Sequence, residues 1–91
     1  MKKIDIFFNN KKIIITGHTG FKGTWLTLWL HLSGAKILGI SKDIPTKPSL
    51  FEKLKLKKKI KDIRLDISNL NKLKKIFKSY QPDYVFHLAA Q

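Results

Sequence analysis

Three glycines set between an unbroken apolar run and an aromatic-rich stretch govern what this chain can fold into. In Lys12-Ile13-Ile14-Ile15-Thr16-Gly17-His18-Thr19-Gly20-Phe21-Lys22-Gly23-Thr24-Trp25-Leu26 they fall as G-x-x-G-x-x-G. The order reads as a buried β-strand, a tight turn and the opening of a helix. The first glycine lets the chain leave the strand sharply, the second lets backbone approach a pyrophosphate, and the third lets helix and strand pack closely. Backbone N–H groups at the helix start would face the phosphates, where the helix dipole also favours negative charge. Glycine spacing alone fits a structural turn as well. Strand, glycines and helix in that order favour a dinucleotide site.

A P-loop is excluded by residue order. That cradle needs G-x-x-x-x-G-K-[ST], with lysine directly after the last glycine. Here Lys22 precedes Gly23.

Ninety-one residues form one small domain at most. No apolar run approaches the ~18 residues of a membrane span. The start, from Met1 to Asn10, carries charge, but its apolar part is interrupted by Asp5 and lacks a signal-peptide cleavage pattern. With no cysteine there is no disulfide frame or cysteine-metal site, and no metal site is expected. These features predict a cytoplasmic protein with no membrane partner.

The net charge of +13 invites a nucleic-acid reading. Against it, lysine outnumbers arginine eighteen to one and is spread along the chain. The densest cluster, Lys53 to Lys61, alternates with Leu54, Leu56 and Ile60. Base readers usually employ arginine and stacking aromatics. The lysines are therefore read as a solvated face, and no nucleic-acid partner is expected.

Residues 4–10 are a short apolar lead-in ending at the turn signal Asn9-Asn10. Strands are predicted over 12–16, 36–41, 60–66 and 84–90, and helices over 21–33, 49–56 and from Ser68-Asn69 to the stop at Gln81-Pro82-Asp83. In the first helix Phe21, Trp25, Leu28 and Leu32 make one stripe, widened by Leu26, Trp29 and Leu30. That predicts a mostly buried helix whose aromatics belong to the core. Gly34 closes it as a C-cap. Ser49 and Glu52 form a capping box for the second helix, and Leu70, Leu73, Ile76 and Phe77 give the third its spacing. Right-handed crossovers then give an α/β fold, the first half of a Rossmann-type doubly wound parallel sheet in order 3-2-1-4. The strand-four edge and a surface of the first helix would stay uncovered.

Asp43 lies twenty residues beyond Gly23 and could accept hydrogen bonds from an adenosine ribose, as in NAD sites. Lys42 beside it would suit the 2′-phosphate of NADP, and Asp43 equally fits an ordinary loop aspartate. Leu88, Ala89 and Ala90, at the end of strand four, would sit beside the glycine turn. His87 lies within that strand and is read as a packed histidine rather than a base.

These residues resemble a known family. Thr16-Gly17-His18-Thr19-Gly20-Phe21-Lys22-Gly23-Thr24-Trp25-Leu26-Thr27-Leu28-Trp29-Leu30 is similar to the fingerprint of the CDP-glucose 4,6-dehydratases, extended short-chain dehydrogenase/reductases acting on nucleotide sugars. Pro45-Thr46-x-Pro48-Ser49-Leu50-Phe51 and Val85-Phe86-His87-Leu88-Ala89-Ala90-Gln91 are similar to the same family. The resemblance implies NAD as cofactor. Gly17, Gly20 and Gly23 would hold its pyrophosphate, with Thr19, Phe21 and Lys22 lining it and His18 in the turn against it. Asp66 and Ile67 would contact adenine; Asp62-Ile63-Arg64 is a competing match for that pair, with spacing to Phe51 and Pro82 favouring Asp66. Ser68 stands where the family usually has arginine. Leu88, Ala89 and Ala90 would border the ribose and nicotinamide side.

By the same resemblance, the whole enzyme would convert CDP-glucose to CDP-4-keto-6-deoxyglucose by internal hydride transfer and loss of water. Its products would feed deoxysugar pathways of bacterial surface polysaccharides, and the full-length protein would be a homo-oligomer. The superfamily's Tyr-x-x-x-Lys pair has no match, because neither Tyr80 nor Tyr84 has lysine at the required position. No catalytic residue is therefore assigned. The chain looks like an N-terminal piece that would not catalyse alone. Three alternatives stand: another nucleotide-sugar epimerase or reductase, a non-catalytic NAD-binding module, and a basic nucleic-acid binder.

Overall fold

The computed structural model describes residues 7–42 and 49–88. Strands β1 (Lys12–Thr16), β2 (Lys36–Ser41), β3 (Lys61–Arg64) and β4 (Tyr84–His87) alternate with helices α1 (Phe21–Leu32), α2 (Leu50–Lys53) and α3 (Leu70–Tyr80). All strand pairs are parallel and the sheet order is β3-β2-β1-β4. This is the expected first half of a doubly wound Rossmann-type sheet.

The isoleucine run explains why β1 is central. Ile13, Ile14 and Ile15 are β-branched and fully buried, so both faces of the strand are covered. On one face Ile13, Ile15 and Ile37 pack with Leu30 of α1, joined by Phe8, Leu26, Ile60 and Phe86. On the other, Ile14, Leu38 and Ile40 meet Leu73, Ile76, Phe77 and Tyr80 of α3.

Helix α1 corrects one expectation. It buries only Gly23, Thr24, Thr27 and Leu30, a narrow face of mostly small residues. Phe21, Trp25 and Leu32 are exposed, and Phe21 meets Trp25 edge to face outside the core. Small residues took the sheet side because they allow close approach, which leaves the bulky stripe facing outwards. The buried threonine hydroxyls are satisfied locally: Thr27 Oγ1 donates to the Gly23 carbonyl at 2.7 Å, and Thr24 Oγ1 to the His18 carbonyl at 3.1 Å. The helix closes in a Schellman motif, with Gly34 N–H donating to the His31 carbonyl and Ala35 N–H to that of Leu30.

The second predicted helix is broken. Ser49 Oγ accepts from the Glu52 N–H at 3.4 Å, but Lys55 adopts φ 54° and the chain continues as a 3-10 turn over Leu56–Lys58. Within the lysine cluster the expected alternation holds: Leu56 is buried and Ile60 half-buried while the lysines are exposed. Strand β3 is shorter than predicted, covering Lys61–Arg64 opposite Leu38–Ser41 of β2. In α3 the N-cap is Asn69, whose Oδ1 accepts from Lys72 N–H, and Leu70 is exposed. Strand β4 has exposed Tyr84 and Val85, and its His87 is exposed rather than packed. Among the described residues β4 is an edge strand, and its Tyr84 ring meets those of Phe7 and Phe8. No helix among the described residues is long and apolar enough to cross a membrane.

Candidate cofactor site

The glycine turn grows directly out of β1. Gly17 takes φ +80°, a left-handed conformation that suits glycine, and its N–H donates to the Ile40 carbonyl at 2.8 Å. The turn is thereby fastened to β2. Gly20 then caps α1 in an extended conformation, without any side-chain cap. The first-turn N–H groups of a helix have no intrahelical partners. The first turn carries no acidic residue, and Lys22 is exposed within it. Such an end presents N–H donors and positive potential to an anion.

The glycines differ in what demands them. A Cβ on Gly23 would fall inside the Gly17 carbonyl and within 2.9 Å of the His18 Cα, so the protein itself requires glycine there. A Cβ on Gly20 would meet only the Gly17 carbonyl, at an ordinary 3.6 Å, and its φ is −71°. Nothing within the described chain requires glycine at position 20. A small residue there leaves room for a group to approach the backbone from outside, as a pyrophosphate would.

His18 turns inwards. Its ring is fully buried, edge-on to Phe51 at 5.1 Å between centroids, and fills the space that Gly39 leaves on β2. Its Nε2 lies 2.6 Å from Oδ1 of Asp62, and the other Asp62 oxygen is 3.1 Å from the Arg64 guanidinium. The Asp62 side chain is 3 % exposed. Burial pushes the imidazole below its ordinary value; Asp62 pulls the other way, Arg64 pushes down, and the Ile40 carbonyl raises it slightly. The ring is thus neutral near pH 7. Because a carboxylate only accepts, Nε2 carries the proton and donates it to Asp62. Nδ1 is buried with no hydrogen-bond partner.

The remaining candidates divide cleanly. Thr19 is buried, and its hydroxyl lies 2.8 Å from that of Ser41 at the end of β2. Phe21 is exposed at the mouth of α1. Leu88 N–H donates to the Thr16 carbonyl at 2.8 Å, which brings the end of β4 against the start of the turn. Thr16 also bonds His87 Nδ1. Asp66 follows β3, where its Oδ1 accepts the Ser68 N–H at 3.0 Å. That bond, chiefly, holds its carboxyl below the usual range, and Lys42 lies 3.9 Å away. Ile67 packs into the α3 side of the core rather than standing free. Asp43, Ala89 and Ala90, with Pro45, Thr46 and Pro48, lie outside the described residues.

Asp62, Gly39 and Ser41 were not singled out from sequence as parts of the turn. A signal existed for Gly39, since glycine inside a strand marks close approach by another group. Asp62 had none: in Lys61-Asp62-Ile63-Arg64 it is one charge among three.

A family model described as GDP-mannose 4,6 dehydratase matches residues 14–91. The chain belongs to that family. It is 45% identical over 85 residues to the CDP-glucose 4,6-dehydratase of Salmonella typhimurium, covering 93% of this chain and 24% of that enzyme. To the UDP-glucuronate 4-epimerase of Thermodesulfobacterium geofontis it is 32% identical over 83 residues, covering 86% and 26%. Among solved structures, the epimerase Mth375 of Methanothermobacter thermautotrophicus matches with TM-score 0.76 and 29% identity, over 99% of this chain and 26% of that one. Bordetella bronchiseptica WbmG, solved in complex with NAD, matches with TM-score 0.74 and 26% identity, over 91% and 26%. The chain spans about a quarter of the length of these curated family relatives.

Proposed function

We propose that this chain is the NAD-binding portion of a nucleotide-sugar 4,6-dehydratase whose substrate is CDP-glucose. The observation that carries the cofactor assignment is Gly20: a Cβ there would make one ordinary contact, its backbone is relaxed, and the N-terminus of α1 lies beside it. The pyrophosphate would rest on the backbone between Gly17 and Gly23, with Lys22 adding charge. Asp66 and Ile67 would meet adenine, Asp43 the ribose, and Leu88, Ala89 and Ala90 the nicotinamide side. Bound NAD supplies a hydride acceptor for the sugar. In this proposal these residues bind and orient it, and no proton transfer on the substrate is assigned to any of them. The 45% identity to a CDP-glucose enzyme supports the sugar nucleotide. A homo-oligomer in the cytoplasm completes the proposal.

The test starts with the intact mass of the natural polypeptide. A mass several times 10.6 kDa means that the chain continues, and the proposal then expects a Tyr-x-x-x-Lys further on. That protein should bind NAD and turn CDP-glucose into the 4-keto-6-deoxy product. Epimerisation of a nucleotide sugar without loss of water would replace the dehydratase reading with an epimerase one, which the 32% identical UDP-glucuronate 4-epimerase supports. A natural product ending near Gln91 would exclude catalysis and leave a binding module.

A further inference from the structure

We infer that Asp62 is a positioning residue for the cofactor: by accepting the Nε2 proton of His18 it keeps that imidazole tucked under the glycine turn. The inference rests on the NAD reading above and extends it to a residue that never touches the cofactor.

The register across the sheet makes the arrangement possible. Ile15, Gly39 and Asp62 stand abreast on β1, β2 and β3. All three belong to the face that α1 covers. Gly39 gives up its side chain, so the ring of His18 can descend from the turn into the gap; a Cβ there would lie 2.7 Å from Nδ1. Asp62, one strand further on, reaches the ring from below, and Arg64 holds its second oxygen. Phe51 closes the side, with the Arg64 guanidinium 5.5 Å above its ring. Asp62 and Arg64 are the two side-chain charges that act on the imidazole. The other groups around it are Gly39 and the Ile40 carbonyl on β2, the Phe51 ring on α2, and Thr24, whose hydroxyl binds the His18 carbonyl.

The physical consequence is a choice between two places for one ring. With its Nε2–H satisfied by a carboxylate, the imidazole is stable in the interior. Without that acceptor a buried N–H is left unpaired, next to an Nδ1 that already lacks a partner. The ring would then leave for water. The way out is through the turn, where the pyrophosphate would lie. Asp62 therefore serves the cofactor by keeping a side chain out of its way.

A double-mutant cycle on the full-length protein tests this, with NAD affinity measured by titration calorimetry at pH 7.5. Asp62→Leu should weaken NAD about tenfold, the size of one lost charge-assisted hydrogen bond. In a His18→Ala background the same Asp62→Leu change should do nothing, because no ring remains to be held. Asp62→Asn, which can still accept the Nε2 proton, should stay within about threefold of the unaltered protein. Nitrogen-15 spectra of the unaltered protein should show His18 as the neutral Nε2–H tautomer, a result that does not depend on any variant folding. An equal loss in both backgrounds, no loss at all, or the Nδ1–H tautomer overturns the inference. Failure of the unaltered protein to bind NAD overturns the cofactor reading itself, and the inference with it.

Discussion

The two faces of the sheet solve the same packing problem with different chemistry. Under α3, the face is ordinary: Ile14, Leu38 and Ile40 meet Leu73, Ile76 and Phe77, and the helix is amphipathic and only half-buried. Under α1, the lower part is equally aliphatic, but the end nearest the turn is polar and close-packed. There His18, Asp62, Thr24 and Gly39 occupy positions that aliphatic side chains could fill more simply. Buried polar groups are costly unless paired, and apolar replacements of similar volume often stabilise. The α3 face shows what stability alone requires. The excess chemistry lies under the turn, where the cofactor is proposed to bind.

Neighbouring residues on β2 allow a sharp test, since Leu38 faces α3 and Gly39 faces α1. Leu38→Ala should cost about 3 kcal/mol through transfer and cavity terms, yet leave the NAD affinity of the folded protein within threefold. Gly39→Val should cost about as much, roughly 3 kcal/mol by overpacking against the His18 ring, and should also remove NAD binding. Urea unfolding and calorimetry on the same samples read both quantities. Normal NAD binding by a folded Gly39→Val protein would dissolve the functional distinction between the faces.

Protonation separates the faces at opposite ends of the pH scale. The folded His18 resists a proton that the unfolded chain accepts near 6.5. Its contribution is complete above that value and is lost as pH falls below it towards the depressed folded value. On the α3 face Tyr80 donates to the Lys36 carbonyl at 2.8 Å, and burial, with Asp83, raises its pKa above the ordinary 10.0. Its contribution is complete below 10 and is lost as pH rises through the raised value. Tyr80→Phe should cost about 1 kcal/mol at neutral pH and flatten the alkaline limb only. An acid limb that vanished with Tyr80→Phe would show that the assignment of limbs to faces is wrong.

Most of the fold was legible because hydrophobic period and turn chemistry agreed along the chain. The isoleucine run of β1, Gly34 after α1 and Asn69 before α3 each specify one local structure, and sheet order follows from crossover handedness. The orientation of α1 was not legible. Periodicity identified a bulky stripe, but helix–sheet distance decided that Gly23, Thr24 and Thr27 face inwards, and distance does not appear in a pattern. The site was readable at its backbone, where glycine spacing has a mechanical meaning. Its polar support was not, because His18 and Asp62 lie forty-four positions apart and meet only through β2. Asp62 looked like a rival for the place of Asp66. It proved to be a partner of His18.

The gentlest change should be the most informative. Gly20→Ala adds one methyl group where the chain offers ordinary contact and a relaxed φ of −71°. Removing glycine's freedom in the unfolded chain stabilises by about 0.4–1 kcal/mol. Alanine is a poorer N-cap than glycine by a similar amount. The two terms oppose each other, so the unfolding free energy should stay within about 0.5 kcal/mol of its starting value. NAD affinity should nevertheless fall at least tenfold, because the methyl group stands where the pyrophosphate would approach. Gly23→Ala is the counterpart on the same turn: its methyl group meets the Gly17 carbonyl and the His18 backbone, so stability and affinity should fall together. If Gly20→Ala destabilised the protein as Gly23→Ala does, glycine at position 20 would be a requirement of the fold. The open space beside α1 would then lose its claim to be a binding surface. If only affinity falls, position 20 was kept small for a ligand rather than for the chain itself.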